Sequence, residues 1–162
     1  MDYYNEISKG YDELYKDEQL SKISLIKKYI KINKNTKILD VGCGTGISSD
    51  FECFVVGIDP SIELLKQNKR IWLLGTAESI PFKDSSFDYV ISVTAMHNFD
   101  NIKKSLMEMK RVGKDKFVFS ILKKSKKFGY IKWLIEENFE VEEIVDEDKD
   151  TMFFCKNRNI YI

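Results

Sequence analysis

The 162 residues carry 26 basic and 26 acidic side chains, and 43% of positions are hydrophobic. Such a chain holds one domain with one sizeable core, and its zero net charge removes any whole-chain attraction to nucleic acid or anionic membrane. No apolar run reaches the ~20 residues of a membrane span, the start is too polar for a signal peptide, and three cysteines without a CxxC pair predict neither disulfides nor a metal site, so a complete, cytoplasmic, metal-free domain is expected.

The first clear pattern is a helix near residues 17–31, where Leu20, Ile23, Ile26 and Ile30 recur at helical spacing. A short β run, Lys37 to Val41, then ends in the loop Gly42-Cys-Gly-Thr-Gly46. One helical turn fits Ile47 to Glu52, and Phe54 to Ile58 reads as a second strand closed by Asp59-Pro60. Ser61 is placed to cap a helix running to about Lys69. Ile71–Leu74 and Phe87–Val93 read as the third and fourth strands, followed by a helix carrying Ile102, Leu106, Met109 and Val112 on one face. Met107 and Met109 read as core filler. Phe117–Leu122 is a fifth strand, and a helix from about Lys126 to Asn138 turns Ile131, Leu134 and Ile135 inward. Glu140–Val145 and Thr151–Cys155 form a terminal hairpin, with the acidic stretch from Asp146 to Asp150 as its solvated turn. Strands alternating with helices predict an α/β fold: seven strands in a mainly parallel, Rossmann-like sheet with helices on both faces.

In an open α/β sheet, ligands bind beyond the carboxyl ends of the strands, where the strand order reverses. The glycine loop stands at the end of the first strand, where a Cβ would keep a ligand away from the backbone. Asp59 stands at the end of the second, where a carboxylate accepts hydrogen bonds from both ribose hydroxyls. Together they describe a site for a nucleoside-containing cofactor. The loop reads GxGxG and not the GxGxxG of dinucleotide sites, and Asp40 precedes it. A carboxylate there repels a pyrophosphate but suits an ammonium or a sulfonium. That favours S-adenosyl-L-methionine over NAD.

The segments Ile38-Leu-Asp-Val-Gly-Cys-Gly-Thr-Gly46, Val56-Gly-Ile-Asp-Pro-Ser61, Gly75-Thr-Ala-Glu-Ser-Ile-Pro-Phe82 and Ser86-Phe-Asp-Tyr-Val90 follow one another along the chain. They resemble the successive motifs of class I S-adenosylmethionine-dependent methyltransferases, type 11 (UbiE-like) branch. Tyr11-Asp-Glu-Leu-Tyr15 and Met96-His-Asn-Phe99 extend the likeness over nearly the whole chain. The resemblance implies strand order 3-2-1-4-5-7-6 with strand 7 antiparallel. It also implies that Asp40, Gly42 and Gly44 line the methionine part of the cofactor and that Asp59 holds the ribose. Pro60 and Ile62 would cover one adenine face, the Ala77 N–H would meet the adenine ring, and backbone around Val93 and Thr94 would complete the floor.

Several features depart from that pattern. Thr76 stands where the family usually has an acid, so an adenine-amino contact is lost or passes to Glu78. The segment between Gly46 and Asp59 is about one helical turn shorter than usual, and the Pro-Gly-Gly usual before strand five is missing. Only Lys123 to Lys127 join strand five to the next helix, so the lid that many relatives insert there is absent.

Methyl transfer needs alignment more than acid–base chemistry, so a catalytic base is optional. His97, the only histidine, follows strand four near the expected methyl group and reads either as a general base or as a packing side chain. Tyr3, Tyr4, Tyr11 and Tyr15 read either as a lid, with Tyr11 near the cofactor carboxylate and Tyr4 at the substrate, or as rings buried for stability. Residues 1–31 are therefore assigned as an N-terminal helical or lid segment of the single domain 1–162. Cys43 reads as a helix-terminus nucleophile or as a small packing residue. The lysine run 123–127 reads as a guide for a phosphate-bearing substrate or as a solvated turn.

After strand four stands Ser92-Val-Thr-Ala-Met-His97 in place of [DN]PP[FY], which argues against methylation of amide or adenine amino nitrogens. No cysteine in that loop supports the carbon-5 pyrimidine route. The leading expectation is a methyltransferase with an unidentified acceptor, a small molecule before RNA or protein. A homodimer partner or another subunit completing the open site is a further expectation, and a non-catalytic cofactor-binding regulator is the alternative.

Overall fold

Period-two alternation along the strands sorts their side chains into two cores, one on each face of the sheet. Ile38, Ile91, Val118, Met152 and Phe154 point to one face, where Ile23, Ile26 and Ile30 pack on them. Leu39, Val90, Phe117, Phe119 and Phe153 point to the other, against Leu106, Met109, Leu134 and Ile135. The structure, a computed structural model, describes the backbone of residues 2–158 and the side chains of residues 13–158.

The elements in chain order are α1 (Asp2–Lys27), β1 (Lys37–Val41), β2 (Phe54–Asp59), α2 (Ile62–Leu65), β3 (Ile71–Leu74), β4 (Phe87–Val93), α3 (Ile102–Val112), β5 (Gly113–Leu122), α4 (Phe128–Asn138), β6 (Phe139–Asp146) and β7 (Asp150–Asn157). They form one seven-stranded sheet ordered β3-β2-β1-β4-β5-β7-β6. β7 runs antiparallel to both β5 and β6, and the other pairings are parallel. The expected order and the antiparallel seventh strand are both present. The carboxyl ends of β1, β2 and β4 lie side by side, and α1 crosses the sheet on their side. Among the described residues no helix is long and apolar enough to cross a membrane.

Several boundaries differ from the sequence reading, each for a local reason. The first helix spans Asp2–Lys27 and not 17–31, ending before Ile30. The helix after Ser61 is capped as expected, by the Leu64 N–H donating to the Ser61 hydroxyl, but ends at Leu65. It stops because the buried Asn68 turns inward, its Oδ1 accepting from the Arg70 N–H at 2.8 Å. The helix expected from about Lys126 begins at Phe128. β5 starts at Gly113 because α3 passes into it without a loop, its C-cap Gly113 already extended. The loop between β3 and β4 contains no helix and is held by Arg111, whose guanidinium donates to the carbonyls of Ile80 and Phe82 at 2.8 Å each.

One correction concerns chemistry. Asp150, expected in a solvated turn, is fully buried at the start of β7. Its parity is that of Met152 and Phe154, so it points to the α1 face, and there it meets Lys22.

Candidate functional site: a cleft at the carboxyl ends of β1, β2 and β4

Three glycines give the loop after β1 its shape. Gly42, Gly44 and Gly46 have φ of 82°, 49° and 88°, the left-handed region that glycine enters without steric cost. A Cβ at Gly42 would stand 2.5 Å from that of Ala95, and one at Gly46 would stand 2.4 Å from Asn68 Oδ1. At Gly44 the nearest atom would be Leu64 Cδ1 at 3.5 Å. Gly42 and Gly46 are therefore packed against protein, while Gly44 leaves its Cβ position open to the cleft.

Asp59 and Asn68 brace this loop from β2 and from the turn after α2. Asp59 Oδ2 accepts from the Gly44 N–H at 2.9 Å and Oδ1 from the Ser61 N–H at 2.8 Å. Each oxygen keeps a lone pair for a further donor. The Asn68 amide donates to the Gly44 carbonyl at 3.1 Å. Cys43 is buried with its sulfur where a Cβ of Gly57 would fall, and burial pushes its thiol well up, the setting of a packing residue and not of a nucleophile.

Asp40 points to the α1 face of the sheet, fully buried beneath the loop. The hydroxyls of Ser48 and Ser49 donate to its Oδ2 at 2.6 and 2.7 Å, which holds the single 3-10 turn Ile47–Ser49 at the start of the stretch expected to form a brief helix or turn. Its Oδ1 has no partner among the described residues. Burial raises the carboxyl to about 6, the two serine hydroxyls offsetting part of that effect.

The cleft above the loop has a volume of about 260 Å³. Gly42, Gly44, Asp59, Pro60, Val93 and Thr94 line it, six of the positions singled out in the sequence. A lobe of about 60 Å³ shares Gly42, Pro60, Asn98 and Phe99 with it and adds Thr76, Ala77 and Glu78. Glu78 Oε1 accepts from the Asn101 N–H at 2.9 Å, which ties this lobe to the start of α3. A wider groove of about 450 Å³ beside Tyr29, Tyr89 and Lys116 lies at the opposite end of β4 and has no glycine loop.

Other expected residues stand off the cleft wall. Ile62 is 38% exposed on α2 and Asp40 lies behind the loop. His97 is half-buried, with Nδ1 enclosed and without a partner among the described residues. Burial lowers its pKa, Asp150 opposes this, and Lys127 and Lys22 add to it, so the ring is neutral at pH 7. The Tyr4 and Tyr11 side chains lie outside the described residues. Of the lysine run, Lys123 pairs with Asp146 at 2.6 Å and Lys127 donates to the His97 carbonyl at 3.1 Å.

Tyr15, from the tyrosine segment read as a lid, and Gln19 form one wall of the cleft from α1. Gln19, Lys22 and Asp150, in or beside the cleft, had no motif to announce them. Lys22, 2% exposed, donates to Thr94 Oγ1 at 3.0 Å and to Asp150 Oδ1 at 3.2 Å. The hydroxyls of Thr94 and Ser120 donate to Asp150 Oδ2 at 2.6 and 2.7 Å. Thr94 itself has φ of 54°, and these bonds hold that conformation. Among the described residues no cluster of three or more His, Cys, Asp or Glu forms a metal site.

Comparison with known proteins gives the family. The family model described as "Methyltransferase domain" (Methyltransf_11) matches residues 39–120. An uncharacterised protein of Methanocaldococcus jannaschii is 36% identical over 144 residues, covering 83% of this chain and 55% of that one. The ubiquinone/menaquinone biosynthesis C-methyltransferase UbiE of Rickettsia massiliae is 33% identical over 148 residues, covering 78% and 56%. The chain thus spans about half the length of these curated relatives. In fold it is similar to a SAM-dependent methyltransferase from Aquifex aeolicus (TM-score 0.72, 18% identity, 84% and 89% of the two chains). A SAM-dependent methyltransferase from Thermotoga maritima aligns over 96% and 97%, with TM-score 0.73 and 19% identity. With its central motifs matched by the model and its strand order that of the fold, the chain belongs to the methyltransferase-domain family.

Proposed function

We propose that the protein binds S-adenosylmethionine in the cleft and transfers its methyl group to a small-molecule acceptor. The observation that carries this reading is Asp59, which braces Gly44 at the one loop glycine open to the cleft and keeps lone pairs for ribose hydroxyls. The residues present fit the cofactor. Asp59 holds the ribose, Pro60 and the lobe at Thr76, Ala77 and Glu78 take the adenine, and Gly42, Gly44, Val93 and Thr94 line the remainder. Asp40 supplies a carboxylate beneath the loop, bound by the hydroxyls of Ser49 and of Ser48, the latter on the cleft wall.

When bound, the cofactor supplies a methyl group already activated on a sulfonium. The chain's task is alignment and exclusion of water, which can account for most of the rate. Val93, Ala95 and Phe99 present apolar surface at the end of β4, and α1 walls the other side. His97 is neutral at pH 7, the form a proton acceptor requires. A small acceptor is favoured over a polyanion because two of the four lysines in the 123–127 run, Lys123 and Lys127, are already engaged within the protein.

The test is methyl transfer from isotope-labelled S-adenosylmethionine to a fractionated small-molecule extract. Label should enter a small product only when the protein is present, and Asp59→Ala should abolish it at limiting cofactor. Binding without transfer to any fraction would reduce the protein to a cofactor sensor.

A further inference from the structure

Gln19 is 3% exposed, lies on the cleft wall, and has no hydrogen-bond partner among the described residues. Its amide is not among the fully enclosed orphaned groups, so the little exposure it retains is at the cleft, where a partner in a bound ligand replaces water. Its place on the wall makes a bound ligand the natural partner.

The strand order gives the ligand's direction. Asp59 ends β2, Thr94 follows β4, and β1 lies between them, so the two positions stand about 10 Å apart at ordinary strand spacing. A nucleoside whose ribose is held at Asp59 and whose base lies by Thr76 to Glu78 sends its 5′ substituent across the glycine loop toward Thr94. Gln19 stands on the α1 wall that faces this end. A primary amide both donates and accepts, which matches a group carrying an ammonium and a carboxylate together.

The helix face is fixed by a neighbouring buried pair. Lys22, three residues on, is bound to Asp150 and Thr94, and Ile23 and Ile26 continue the buried stripe. Lys22 and Asp150 neutralise one another, so the wall presents an uncharged amide and not a free cation.

We propose, on the footing of the cofactor assignment above, that Gln19 binds the amino-acid end of the cofactor, and that Lys22 is a positioning residue which, through Asp150, holds Gln19 in place.

Two ligands separate this from a structural role: S-adenosylhomocysteine, and 5′-deoxy-5′-methylthioadenosine, which keeps the nucleoside but lacks the amino acid. In calorimetric titrations, Gln19→Met should weaken S-adenosylhomocysteine about ten-fold or more, the effect of a lost hydrogen bond to a charged group, and leave methylthioadenosine within about two-fold. The paired variant Lys22→Met/Asp150→Asn, which leaves no unpaired buried charge, should show the same selective loss while thermal melting confirms that it is folded. Equal losses for both ligands, or an unchanged S-adenosylhomocysteine affinity in Gln19→Met, would overturn the proposal. Wild-type protein that binds methylthioadenosine as tightly as S-adenosylhomocysteine would overturn it too. Wild-type protein binding neither ligand would instead refute the cofactor assignment itself.

Discussion

The Lys22 ammonium lies 3.2 Å from the Asp150 carboxylate across 128 residues of sequence, and both side chains are withdrawn from solvent. The pair joins α1 to the hairpin that closes the sheet, at the edge of the cleft. Attraction between two buried charges is largely offset by the cost of removing them from water, so the pair's presence says little about net stability. Removing one partner is different, because the other charge stays buried alone.

Lys22→Met is therefore expected to destabilise the protein by about 3–5 kcal/mol, measured by urea unfolding. Lys22→Met/Asp150→Asn should recover most of that loss, since an asparagine oxygen still accepts from Thr94 and Ser120. A double variant no more stable than the single one would mean that the charges themselves hold α1 down.

Asp40 predicts a pH dependence. Burial raises its carboxyl from the ordinary 3.8 to about 6. Between those values the folded protein keeps a proton that the unfolded chain has released, so this group's contribution to stability falls as pH rises through the window and is level above it. A shift of this size corresponds to about 3 kcal/mol. Asp40→Asn should gain on wild type by about that amount between pH 4 and pH 7, read from chemical denaturation at each pH. A constant difference across the range would place the Asp40 carboxyl at its ordinary value.

The glycine loop separates fold from binding. Gly42→Ala drives a Cβ into Ala95 and should cost about 1–3 kcal/mol of stability. Gly44→Val meets no protein atom closer than 3.5 Å at Cβ, so it should stay folded, with about 1–2 kcal/mol of left-handed strain, yet lose S-adenosylhomocysteine binding. Melting curves and titrations of both variants check this, and a Gly44→Val protein with full affinity would make the loop a structural turn only.

The sequence carried the fold well because its strands announce themselves. Apolar runs such as Phe54–Ile58, closed by Asp59-Pro60, and Phe87–Val93, opened by the turn residues Asp84-Ser-Ser86, stand out, and the glycine loop places the cleft at the end of β1. It carried α1 poorly. Its inward stripe includes Gln19 and Lys22, polar residues on a core-facing side, so hydrophobic periodicity alone began at Leu20 and passed over them. Asp150 was hidden by its company: in a run of acids and one lysine nothing distinguishes the carboxylate that the register turns inward. Asn68 falls within the helix expected to run to about Lys69 and is instead a brace for Gly44. Such long-range polar partners leave no local pattern, and only the register of the sheet brings them together.

The central claim is that this cleft holds a nucleoside cofactor by the carboxylate of Asp59, and calorimetric titration of wild type and Asp59→Ala with S-adenosylhomocysteine tests it most directly. One site is expected in the wild-type protein, with about 2–3 kcal/mol weaker binding in Asp59→Ala from lost charge-assisted hydrogen bonds, and no uptake of NAD by either. Equal affinity in the two proteins, or wild-type binding of NAD in place of S-adenosylhomocysteine, would contradict it.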